Sequence, residues 1–217
     1  MNEKIIKKII IKEYINSSIQ YGHTLNLFNS KMAPYILYNK YNYHIFDLFK
    51  ALKLLIIAGN VLKKKAQNKN MFLFVGTTDI SSSLVKKYAE KTNSSYINFR
   101  WLNGMLTNWF TLQKRIQNFK EIEKNFSIKI KSLNKLKKLF DGIKNLNEFP
   151  EIVIFTNQLK ETNAIKECIK MGIPTICIVD SNGNPELIPY PVISNDDSKE
   201  ALNFILNYFS NEILLNT

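Results

Sequence analysis

Three short, predominantly apolar runs constrain this chain more than any other feature: Met71–Val75, Ile152–Phe155 and Ile173–Val179. None shows the alternation of a strand with one wet face. Each reads as a strand covered on both faces, the first ending at Gly76 and the second following Pro150. Pro174 stands near the start of the third, where a missing donor is tolerable. Between the runs lie helical patterns, Ile80–Lys91 and Asn163–Lys170, the second closed by Gly172. Tyr96–Phe99 is a further short strand, and Pro191–Ile193 an edge strand. Strand–helix alternation of this kind predicts an α/β fold, a parallel sheet flanked by helices in the flavodoxin/Rossmann manner.

The flanking segments attach to that scheme. The first twenty residues predict a helix, with Ile11, Ile15 and Ile19 repeating at four beside Ile5, Ile6, Ile9 and Ile10, and with Gly22 as its terminator. An irregular stretch to Pro34 follows. Tyr35–Tyr38 and Tyr43–Phe46 flank a polar Asn39–Asn42 turn and predict a hairpin. Asp47 opens a helix carrying Leu48, Leu52, Leu55 and Leu62. The last helix presents Leu202, Ile205, Leu206, Phe209 and Ile213 on one face. Residues 107–144 hold no strand candidate. They read as two charged helices, Thr107–Lys124 and Ser132–Phe140, joined by Asn125–Lys131. This helical hairpin is inserted into a sheet domain formed by residues 1–106 and 145–217.

Charge narrows the partners. Thirty basic against eighteen acidic residues give +12 at pH 7, which points to a polyanion, nucleic acid before an anionic membrane. The longest apolar stretch, around Leu54–Ala58, is far short of the ~20 residues a spanning helix needs, so no membrane partner is expected. Two cysteines without a CxxC motif make neither a disulfide scaffold nor a structural zinc site, and a reduced, intracellular protein is expected. Lys, Asn and Ile are AT-rich codons, so part of the lysine excess reflects codon composition. The two arginines, Arg100 and Arg115, therefore carry more weight, because lysine does not replace the guanidinium fork.

Several groupings invite a chemical reading. Gly76-Thr77-Thr78-Asp79 lies between a strand and a helix, where backbone N–H groups can bind phosphate, but neither GxGxxG nor GxxxxGK[ST] is present. An α/β enzyme holding a phosphorylated small ligand at Gly76–Thr78, with Asp180 and Asp196 as polar partners, is thus the alternative. Asp180 could join the Asn195-Asp196-Asp197 acids around Mg²⁺, whereas Asp197-Ser198-Lys199-Glu200 matches a capping box. His23 and His44 lack ligand spacing, and no catalytic set, cofactor site or metal site is assigned. Basic residues cluster at Lys63–Lys65, Lys86–Lys87, Lys114–Arg115 and Lys129–Lys138. The densest segment, Arg100-Trp101-Leu102-Asn103-Gly104-Met105-Leu106-Thr107-Asn108-Trp109, combines aromatic rings, amides and a guanidinium, a mixture suited to RNA. Trp101 and Trp109 could equally anchor the hairpin to the sheet domain.

These segments together resemble a known family. Gly22-His23, Asn29-Ser30-Lys31-Met32-Ala33-Pro34-Tyr35-Ile36 and His44-Ile45-Phe46-Asp47-Leu48 resemble the N-terminal signature of the bacterial-type second protein of the small ribosomal subunit. Phe72–Thr77, Arg100–Trp109, Gly172-Ile173-Pro174, Val179–Asn182 and Asn195-Asp196-Asp197 follow in that family's order. The resemblance implies a structural constituent of the small subunit, without enzymatic activity. It implies binding to small-subunit rRNA and neighbouring ribosomal proteins between head and body, with no small-molecule substrate. On this basis the candidate rRNA-binding residues are His23, Asn29, Lys31, Arg100, Asn103, Asn108, Lys114 and Arg115. The family's usual Gly-Gly is replaced by Asn103-Gly104, and its Asn-Pro-Lys-Met by Asn29-Ser30-Lys31-Met32. The AT-rich composition, and Met32–Ile36, which is similar to plastid versions, point to an organellar ribosome: a plastid first, a mitochondrion second, and the cytoplasm of an AT-rich bacterium third.

Overall fold

The computed structural model describes residues 12–67, 71–125, 131–146 and 148–216, with the side chains of 123–125 and 131–135 excepted. The three apolar runs form the centre of a five-stranded sheet. Its strands are β4 (Phe72–Val75), β5 (Ser95–Ile97), β6 (Ile152–Phe155), β7 (Thr175–Val179) and β8 (Tyr190–Ile193), in the order β5-β4-β6-β7-β8. Every pairing is parallel. All residues of β4, β6 and β7 are buried, which is why they read as predominantly apolar runs.

The chain leaves β4 toward β5 on one side and β6 toward β8 on the other. Right-handed crossovers therefore place α2 (Asp79–Lys91) and α5 (Thr162–Met171) on opposite faces. The C-terminal helix α6 (Lys199–Leu214) packs against both α2 and α1 (Leu48–Ala66). Its apolar face, Leu202, Ile205, Leu206, Phe209 and Ile213, is buried throughout, as its periodicity predicts. Caps set the helix starts. Asp47 accepts from the Phe49 and Lys50 amides, Thr78 from Ser81, and Ser198, one residue later than the capping box suggests, from Ala201.

The N-terminal part departs from its prediction. Residues 12–16 are helical and 17–20 form turns. Tyr14 is buried edge-on to Phe204 while Ile15 faces outward, and Ile5 to Ile11 lie outside the described residues. Gly22 does not end a helix. It lies within a strand, β1 (Tyr21–Thr24), which pairs antiparallel with β3 (Tyr43–Phe46), itself paired with β2 (Ile36–Lys40). A Cβ on Gly22 would lie 3.0 Å from Phe46 and Ser181 side-chain atoms, so the glycine serves close approach of this small sheet to the main one. Tyr41 and Asn42, both with positive φ, make the β2–β3 turn.

The predicted helical pair is present as α3 (Trp109–Asn125) and α4 (Lys131–Phe140). Leu112, Ile116 and Phe119 are buried and join the main core, Phe119 stacking obliquely on Phe140 at 5.7 Å. Among the described residues no helix is long and apolar enough to cross a membrane.

Candidate functional site

Ligands of doubly wound sheets bind outside the carboxyl ends of the strands, where strand order reverses. Here that point lies between β4 and β6, at Gly76–Thr78. A side chain of the protein fills it. The Glu161 carboxylate accepts from the Thr77 amide at 2.9 Å, the Asn157 amide at 3.2 Å and the Thr77 hydroxyl at 3.4 Å. These are the donors a phosphate would require. A Cβ on Gly76 would come within 2.8 Å of Val85, Thr156 and Ser81 atoms, so the glycine lets the turn pack tightly against the protein's own strand and helix. Burial pushes the Glu161 carboxyl up to about 8. The phosphate-binding alternative fails on this geometry.

A second polar group lies beyond β7 and β8. Asp180 accepts from the backbone amides of His23 and Asp196, and Asn157 Nδ2 donates to Asp196 at 2.8 Å. The His23 ring stands 3.7 Å from Asp180 and 3.9 Å from Asp196, outside hydrogen-bonding range of both. Asp196 Oδ1 is buried without a hydrogen-bond partner among the described residues. Burial, and then the Asp180 charge, push Asp196 up to about 8. One ligand atom from each of His23, Asp180 and Asp196 lies within 4.8 Å of the others, so the trio can hold a divalent cation of the Zn²⁺ type. The sequence pointed to Asp180 with the 195–197 acids but not to His23, which reaches them only through the pairing of β1. His44 is no ligand here: it is buried and bonded through Nδ1 to Asn39.

The other two N-terminal candidates are engaged locally. Asn29 caps a short 3₁₀ turn by accepting from the Lys31 amide. Lys31 forms an exposed ion pair with Glu186 at 2.8 Å. Above them a cleft of about 650 Å³ opens between the small sheet and Asn195–Asp197, walled by Tyr21, Tyr41, Tyr43 and Leu27.

The second set of candidates converges. Asn103, Asn108 and Arg115 line one shallow depression of about 70 Å³ at the base of the helical pair. Arg100, Asn103, Asn108, Lys114 and Arg115 are all exposed. Neither arginine has a hydrogen bond or an ion pair among the described residues. Lys114 rests its ammonium 4.4 Å from the centre of the Phe110 ring.

What shapes this surface is a residue absent from the sequence reading. Glu167, on α5, accepts from the Trp101 indole at 3.1 Å and from the amides of Gly104, Leu106 and Thr107 at 2.7, 3.0 and 3.4 Å. One carboxylate thus gathers four donors of the 101–107 loop. Gly104 has φ +87°, so the tight turn needs the glycine, whereas Asn103 beside it is exposed. Replacing the family's first glycine by Asn103 leaves that turn intact. Both tryptophans serve packing: Trp101 is buried near Phe155, and Trp109 stacks on Phe149 at 4.6 Å.

The profile of the family described as ribosomal protein S2 matches residues 14–215. The chain belongs to the ribosomal protein S2 family. It is similar to small ribosomal subunit protein uS2c of Phaeodactylum tricornutum, at 37% identity over 95% of this chain and 97% of that one. The protein of the same name from Gracilaria tenuistipitata var. liui is 35% identical, over 95% of each chain. That of Galdieria sulphuraria is 38% identical, over 91% of this chain and 89% of that one. This S2 is accordingly a structural constituent of the small ribosomal subunit, not an enzyme, and an organellar member of the plastid type. The parallel sheet is a scaffold whose ligand crevice has been closed from within.

Proposed function

We propose that the surface formed by Arg100, Asn103, Asn108, Lys114 and Arg115 is where this S2 grips small-subunit rRNA. One observation carries the reading: Asn103, Asn108 and Arg115 line one exposed depression at the base of the helical pair, beside a loop fixed by Glu167, with Arg100 and Lys114 exposed close by in sequence. Guanidinium groups pair with phosphate in a planar fork, and amides suit sugar and base edges. The scaffold contributes register, and counterion release contributes affinity.

Of the N-terminal candidates, Asn29 is spent on a backbone cap and Lys31 on Glu186, while the His23 ring faces Asp180 and Asp196 without bonding to either. The tyrosine-walled cleft beside them suits a neighbouring ribosomal protein, since Lys40 is the one lysine in its lining. Together the two surfaces fit the position between head and body that the family resemblance implies.

Replacing Arg100 by Ala is expected to weaken incorporation into small subunits while the melting temperature of the free protein stays unchanged. Occupancy equal to wild type in purified subunits overturns the assignment.

A further inference from the structure

We propose that Phe110 is a stacking platform for an unpaired base of the RNA. This inference rests on the rRNA reading above and specifies what that surface recognises.

Phe110 occupies the first turn of α3 and is 71% exposed. Single exposed apolar residues are common and need no explanation by themselves. Three features set this one apart.

The first is its setting on the helix. Positions 110, 111, 114, 115 and 118 fall on one arc at 100° per residue, occupied by Phe, Thr, Lys, Arg and Asn. That arc turns away from the buried Leu112, Ile116 and Phe119. A phenylalanine there adds nothing to the core, and its helix propensity is below that of the Lys, Gln or Arg around it.

The second is the ammonium of Lys114, 4.4 Å from the ring centre. It engages the ring from one side and leaves the exposed remainder to a second flat partner. Cation, ring and base then form a stack in which every contact is favourable.

The third is charge. From Trp109 to Lys120 the helix contains no acidic residue, and Glu121 comes almost two turns after Lys114. A phosphate attached to the stacked base meets Arg115 and Lys114 without opposition. The neighbouring ring, Trp109, is already spent on Phe149, so of the two adjacent rings that open this helix Phe110 is the one without a ring partner among the described residues. An apolar protein partner would not match a ring encircled by Thr, Lys, Arg and Asn. An unpaired nucleotide, with a flat base and an anionic backbone, matches all four.

The test uses the full chain and a single-stranded 12-nucleotide RNA carrying one 2-aminopurine, whose fluorescence is quenched on stacking. The wild-type protein is expected to quench it. Phe110→Ala is expected to abolish quenching and weaken binding about tenfold. Phe110→Trp should retain both, and Phe110→Leu, apolar but not aromatic, should lose both. The side chain is exposed, so the melting temperature should stay constant across the three. Arg115→Ala is measured in parallel. If it weakens binding while Phe110→Ala binds and quenches as wild type does, the platform is overturned and the rRNA reading stands, with Phe110 left to a protein neighbour. If neither substitution changes binding, the rRNA reading fails and the platform fails with it.

Discussion

Two polar regions of this protein handle charge in opposite ways. At the crevice beyond the strand ends, Glu161, Asp180 and Asp196 are buried, and their surroundings are the protein's own amides and His23. At the base of the helical pair, Arg100, Lys114 and Arg115 face solvent, and Glu167 is turned inward under the loop. Acids are spent on architecture and cations are kept for a partner. A fold associated with small-molecule binding thereby closes its own crevice and presents its cations elsewhere, without any change in its sheet order.

The largest break in that arrangement should come from Glu167→Ala. It strands the Trp101 indole and three backbone amides that are bonded to a charged group, at a cost of about 3 kcal/mol. For a chain of 217 residues this lowers the melting temperature by roughly 6–12 °C. Amide exchange at Gly104, Leu106 and Thr107 should accelerate. Unchanged protection at those amides would show that the loop holds its shape by packing alone.

Next in size is the response to a divalent cation at His23, Asp180 and Asp196. Zn²⁺ at a hundredfold excess over its dissociation constant adds about 2.7 kcal/mol of apparent stability. His23→Ala should erase the shift, because one of the three donors is gone. A melting temperature indifferent to Zn²⁺ in both proteins would mean that the gap between His23 and the two carboxylates takes no cation.

The difference between these two regions also explains what was legible in the sequence. The central strands were plain because both their faces are buried, and Asp47 was plain as a cap because its bonds are local. Glu167 had no such signature: in Lys166-Glu167-Cys168 it resembles any acid on a helix surface, and its partners lie 60 to 66 residues away. His23 meets Asp180 across 157 residues, through a strand too short and too polar to read as one. Local periodicity finds elements; it cannot find bonds that exist only after the elements have packed. The exposed cations near the helical pair could be grouped from sequence for the opposite reason, since they lie close together along the chain and are largely uncommitted in structure.

The crevice is distinguished further by its pH dependence. The Glu161 carboxyl is pushed from its ordinary value near 4.5 up to about 8 by burial. The folded state therefore favours the protonated acid. This contribution to stability is complete below about pH 4.5 and is lost as pH rises through about 8. Glu161→Gln keeps the size and removes the titration, so the fall in melting temperature between these pH values should flatten. A slope equal to that of wild type would place the titration elsewhere.

The smallest effect separates the two regions most cleanly, because it compares cations of equal charge. Lys31 is neutralised by Glu186 at 2.8 Å, while Arg115 has no acidic partner among the described residues. Each phosphate neutralised contributes close to one unit of slope in log affinity against log salt. Arg115→Ala should lower the slope for small-subunit rRNA by about 1. Lys31→Ala should leave it nearly unchanged, since an RNA contact there must first break the pair with Glu186. Neither substitution should move stability by more than about 0.5 kcal/mol, as both side chains are exposed. If Lys31→Ala lowers the slope as much as Arg115→Ala does, the ion pair opens on binding and the N-terminal end belongs to the RNA interface as well. The division between an acid-built region and a cation-presenting region would then describe the free protein only, and not the protein in the subunit.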